Sequence, residues 1–167
     1  TLPVRNLRMK QESKMHVCLV CHTETDVWDG GFGSIDTMLP QFLDMADGVR
    51  DKDGMTPRVA WCLTPQVVEH RPEPFRELLA NGHEIGVHSH FPSATGKLEH
   101  EQQLNAENLD TFHVWFPELC DRIEQAGFPR PATHATWMFA YRDTMTKTLT
   151  DAGIRAECSV CYGGQCR

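Results

Sequence analysis

The sequence predicts an α/β fold with a parallel sheet, and three observations carry that expectation. Short apolar runs of strand type alternate with segments whose apolar residues recur every three or four positions. Proline and glycine stand at the joints between them. Strands alternating with helices pair in parallel through right-handed crossovers, which leaves an open sheet or a barrel. The chain has 167 residues, enough for one ordinary domain. A domain of that size buries roughly 70% of the surface its unfolded form exposes, so it needs no staples.

Each element has its own signal. Residues Thr1–Lys14 are basic and poorly patterned, and they read as an N-terminal extension ahead of a domain over 15–167. Met15–His22 (MHVCLVCH) is a β-branched, unbroken apolar run, as expected of a strand buried on both faces. After the polar stretch Thr23–Asp29 and Gly30-Gly31, Ser34 reads as the N-cap of a helix carrying Ile35, Met38, Leu39, Phe42 and Met45. Pro57–Leu63 is a second strand, and Thr64-Pro65 the cap and first position of a helix. A helix over Pro74–Ala80 stops at Asn81-Gly82. Glu84–Ser89 is a third strand, and Leu98–Ala126 is mostly helix, with Leu109, Phe112, Phe116, Leu119 and Ile123 on one face. Pro131–Met138 is a fourth, irregular strand. Arg142–Ala152 is a short helix closed by Gly153, and Ile154–Cys161 is a fifth strand.

Composition excludes several functions. The net charge of -7 and the absence of a basic cluster argue against nucleic acid, because an acidic protein gains nothing from counterion release. Neutral sugars or other uncharged small molecules fit better. No apolar run approaches the roughly 20 residues of a membrane helix, and no signal-peptide pattern opens the chain. Seven cysteines, an odd number set inside apolar segments, point to free thiols in a reducing compartment, hence the cytoplasm. The pairs Cys18/Cys21 and Cys158/Cys161 have the spacing of a zinc or redox motif. Residues three apart in a strand face opposite ways, however, so buried core cysteines are the better account. The sequence does not bear on oligomeric state.

Two clusters can carry chemistry, both just past the ends of predicted strands, where active sites of parallel α/β folds collect. In His22-Thr-Glu-Thr-Asp26, residues two apart on extended backbone share a face, so Glu24 and Asp26 point into one site. In His88-Ser-His90, two imidazoles do the same. Alone, the first is also a solvated acidic loop and the second a pair of surface histidines. Together, two imidazoles and a carboxylate make a common catalytic zinc set with one position left for water. Trp28 and Trp137 flank this region and are candidates to stack on a sugar face, although core packing is the usual role of such residues.

The segment Asn81-Gly-His-Glu-Ile-Gly-Val-His-Ser-His90 resembles the second motif of polysaccharide deacetylases, carbohydrate esterase family four. Glu24 and Asp26 resemble the carboxylates of the family's first motif, one a general base and one a metal ligand. Gly127–Trp137 (GFPRPATHATW) is similar to its third motif. The likeness runs in order from Met15 to about Gly164. It implies a deformed (β/α) barrel of the glycoside hydrolase/deacetylase type. It further implies one divalent ion, of zinc type, on Asp26, His88 and His90, with Glu24 as general base. His134, with Arg130 as the weaker candidate, would orient that base, and the activity would be removal of acetyl from an N-acetylated sugar or cleavage of a related linear amide. This sequence departs from the pattern in four ways, the first being that His134 stands where the third motif normally supplies an arginine. Thr25 separates carboxylates that are usually adjacent, the histidines are two apart rather than four, and the chain stops before the strand that carries the family's general-acid histidine. The chain is then a fragment lacking C-terminal strands, performs acid catalysis otherwise, or lacks it. Two rival readings stand beside this one: a binuclear His-x-His amidohydrolase or phosphoesterase, and a catalytically inactive glycan-binding deacetylase-like module.

Overall fold

The structure, a computed structural model, describes residues 18–25, 31–51, 53–90, 106–136 and 141–159, with backbone alone for 106–110. In chain order the elements are β1 (Leu19–Thr23), α1 (Gly33–Asp47), β2 (Val59–Leu63), α2 (Pro65–His70), α3 (Pro72–Ala80), β3 (Glu84–Ser89), α4 (Ala106–Gln125), β4 (Thr133–Thr136), a 3₁₀ turn (Asp143–Met145) running into α5 (Thr146–Asp151), and β5 (Ala156–Glu157). The strand and helix expectations for residues 15–17, 98–105, 137–138 and 160–161 fall outside the described residues.

Every strand pairs in parallel with the next in the chain, in the order β1-β2-β3-β4-β5. That order decides between an open sheet and a barrel. A doubly wound sheet must reverse its strand order to place helices on both faces. Here the order never reverses, so crossovers of one hand put the helices on one face and leave the other to curl inward. The result is a curled half-barrel.

The strand registers sort the side chains into two sets. Trp61, Leu63, Ile85 and Val87 point to the helices, where they are buried with Phe75, Leu78, Phe112, Phe116 and Ile123. Phe42 of α1 meets Trp61 edge-on at 5.3 Å between ring centres. His22, Cys62, Gly86 and His88 alternate with that set and share the face away from the helices. Gly86 is required there by space: a Cβ would lie 2.7 Å from the Thr133 carbonyl oxygen and 2.9 Å from Cys62 Sγ.

Local signals explain most element ends. Thr64 has the extended backbone of an N-cap and Pro65 opens α2 as its first residue. Gly82, Gly127 and Gly153 follow α3, α4 and α5 with φ of +86°, +89° and +96°, the left-handed geometry that ends a helix. Two starts differ from expectation. Helix α1 begins at Gly33 with Phe32, not Ser34, in the cap position, and α3 begins at Pro72 rather than Pro74. Proline at a first helical position has no N–H to leave unpaired, so either proline could open that helix. Among the described residues Cys18, Cys21, Cys62, Cys120 and Cys158 are free thiols. The paired cysteines are not the buried core residues expected: Cys18 is exposed and Cys21 and Cys158 are half-buried, since they lie on or beside β1 and β5, the outer strands among the described residues, whereas Cys62 and Cys120 are buried. No described helix is long and apolar enough to cross a membrane.

Candidate metal centre

Two strands and one alternation build the site. His22 is level with Cys62, and Cys62 with Gly86. Extended by one alternation, that register sets Glu24 beside Thr64 and His88. Strands β1 and β3 are two strand spacings apart, roughly 10 Å. Glu24 and the histidines therefore have to reach across β2, which turns into α2 at this level and presents only the small, buried Thr64.

They do meet. One ligand atom each from Glu24, His88 and His90 lie within 4.8 Å of one another. Glu24 Oε2 is 2.5 Å from His90 Nε2, and the rings of His88 and His90 stand perpendicular with centres 4.8 Å apart. Donors around a zinc ion at about 2.0–2.2 Å sit roughly 3.3 Å from each other, so small side-chain rotations close this set on an ion. His22 also lies against His88, ring centres 4.8 Å apart.

His88 is prepared as a ligand in two ways. Its Nδ1 lies 2.9 Å from the Ala135 carbonyl oxygen, which can only accept, so Nδ1 carries the proton and Nε2 keeps its lone pair. Burial pushes its pKa down to about 3, helped by neighbouring His90 and opposed by the Ala135 hydrogen bond. The ring is thus neutral near pH 7, the form a metal requires. Burial also lowers the pKa of His22. Two imidazoles and a carboxylate suit a borderline divalent ion such as zinc.

The other expected site residues are placed as follows. Asp26, Trp28 and Trp137 lie outside the described residues. Among the described residues, the carboxylate brought to the two histidines is that of Glu24, the expected general base; the place of Asp26, the expected ligand, lies outside them. His134 is not beside Glu24 in the alternation. It is in register with Val87, hence on the helix face, where its ring packs on Phe116 with centres 5.0 Å apart. Arg130 precedes β4, at the opposite end of the sheet. It donates to Asp121 at 2.8 Å, Glu124 at 2.6 Å and the Ala152 carbonyl at 2.9 Å, tying α4 to the C-terminal end of α5. Sequence reasoning placed His134 by motif order alone, and motif order does not say which way a strand residue points. It passed over His22, although spacing by two from Glu24 puts both on one face.

No family model matches the chain, and no curated protein matches it. Solved structures do. One is a family 4 carbohydrate esterase from Streptomyces lividans in complex with acetate, with TM-score 0.54 at 17% identity over 84% of this chain and 60% of that one. Another is a mutant of a family 4 carbohydrate esterase pseudoenzyme with restored enzymatic activity, with TM-score 0.53 at 16% identity over 84% of this chain and 44% of that one. The chain therefore shares the fold of these esterases and spans less than two thirds of either.

Proposed function

We propose that this chain is a metal-dependent hydrolase that removes an acetyl group from an N-acetylated sugar, with one zinc-type ion held by Glu24, His88 and His90. The observation that carries this reading is the convergence of those three side chains on the face away from the helices, at the carboxyl ends of β1 and β3. The likeness in fold to two family 4 esterases supports the substrate class.

A divalent ion so held supplies Lewis acidity toward an acyl oxygen and toward water. The chain's own residues do the rest. His88 and His90 bind through imidazole, and His88 is kept in the correct tautomer by Ala135. With Glu24 drawn into the ligand set, Asp26, two residues further along the same segment, is the carboxylate proposed to take the proton from the attacking water. Trp28 and Trp137 are proposed to stack on the sugar. Protein of this size and charge, working on a neutral glycan, needs no nucleic-acid or membrane partner, and the cytoplasm is its proposed compartment.

One candidate group of metal donors, rather than two, occurs among the described residues, which favours a single ion over the binuclear reading. The test pairs metal analysis of protein purified without added metal with acetate release from N-acetylated sugar oligomers. One zinc-type ion per chain with acetate release is the expected result. One ion without turnover on any N-acetyl or linear amide substrate would instead favour the inactive glycan-binding module.

A further inference from the structure

Behind the two histidines, on the helix face of the sheet, buried polar side chains from three strands form one connected chain. Ser89 stands between His88 and His90 in sequence and points to the opposite face. Its Oγ lies 2.7 Å from His134 Nε2. His134 Nδ1 is hydrogen-bonded to Glu157 Oε2. Glu157 Oε1 accepts the Ser159 N–H at 2.7 Å, and Ser159 Oγ accepts the Thr136 N–H at 2.5 Å. An ionised Glu157 accepts from His134 Nδ1–H, and when the ring is neutral its Nε2 accepts the Ser89 hydroxyl.

The order Ser–His–Glu is that of a nucleophilic triad, but burial excludes that use. Ser89 and His134 are each 0% exposed and the His134 ring is covered by Phe116, so no acyl group reaches Ser89 Oγ. Burying such groups costs free energy unless they are paired, and an apolar residue would fill the space without that demand. What the chain of bonds does is visible at the end of β3. Ser89 is the last residue that strand pairs, opposite Thr136, and His90 follows where the ladder stops. Strand β4 thus grips β3 on both faces, through Ala135 to His88 on one and His134 to Ser89 on the other.

We infer that Ser89, His134 and Glu157 are positioning residues for the metal centre, fixing the end of β3 so that His88 and His90 are held in ligating orientation. The inference rests on the reading of Glu24, His88 and His90 as that centre. Neighbours of metal ligands that orient them typically contribute 10–100-fold in metal affinity.

The test titrates metal-free protein with cobalt(II), following the visible spectrum, with zinc competition for affinity. Ser89→Ala and Glu157→Gln should each weaken cobalt binding about tenfold or more and alter the ligand-field bands. Ser89→Thr, which keeps the hydroxyl, should restore much of the loss. Leu78→Ala, a core truncation in α3, is the control for stability and should bind cobalt as wild type does. Glu157→Gln is nearly isosteric and its side chain is 17% exposed, so it reports even if Ser89→Ala does not fold. Lower melting temperatures in Ser89→Ala and Glu157→Gln with wild-type cobalt affinity and spectrum would overturn the inference. Wild-type protein that binds no cobalt would overturn the metal-centre reading, and this inference with it.

Discussion

The two faces of β3 are made from alternating residues of one six-residue strand, yet they do different work. Toward the helices, Ile85 and Val87 are 4% and 0% exposed and join an apolar cluster. Away from them, Gly86 and His88 leave room for Cys62 and present an imidazole to the carboxylate from β1. Stability therefore concentrates on one face and chemistry on the other, and a strand period of two separates them without any extra structure. Ser89 is the exception that joins them, a polar residue on the apolar face that ties back to β4.

That division predicts substitutions with opposite signatures. On the site face, His88→Ala should abolish measurable acetate release and lower zinc affinity by more than about a hundredfold, since it removes a ligand and not merely a neighbour of one. Its unfolding midpoint in denaturant should change far less. On the helix face, Phe75→Ala removes a wholly buried ring and should cost about 3–5 kcal/mol by denaturant unfolding, with zinc affinity in the folded protein unchanged. A variant on either face that failed in both assays equally would break the comparison.

Gly86→Ala should fall between these cases. The added methyl meets a backbone carbonyl that cannot swing aside, so the strands must shift, at about 1–3 kcal/mol. Gly86 is two residues from His88, so zinc affinity should fall as well, and thermal melting alongside zinc titration checks both.

The faces were unequally legible in the sequence. Apolar periodicity is a property of neighbouring residues, so β3 was readable over its full length, Glu84–Ser89, and the glycines ending α3, α4 and α5 were readable from local turn chemistry. The pairing of His88 with His90 followed from the same alternation. Which carboxylate meets them did not, because alternation alone gives Glu24 and Asp26 the same face and cannot rank them as ligands. The partners of Arg130 on α4 and of His134 on β3 and β5 depend on packing between elements distant in sequence, and a motif-order argument has no access to it.

Acid should expose a further effect on the site face. In metal-free protein, folded His88 stays neutral down to about pH 3, whereas unfolded His88 titrates near 6.5. As pH falls below about 6.5 the unfolded state gains a proton that the folded state refuses, so stability is complete above that pH and declines toward pH 3. Relative to His88→Gln, which has no such group, wild type should lose unfolding free energy as pH drops from about 7 to 4. A difference independent of pH would contradict the burial ascribed to this ring.

The convergence of Glu24, His88 and His90 is tested most directly by zinc content in two carboxylate variants measured side by side. Glu24→Gln should emerge from purification with little or no zinc and with no activity. Asp26→Asn should retain close to one ion per chain while acetate release falls by about a hundredfold or more, the loss expected for a general base. Zinc retained in Glu24→Gln and lost from Asp26→Asn would contradict the account, making Asp26 the ligand and Glu24 the base.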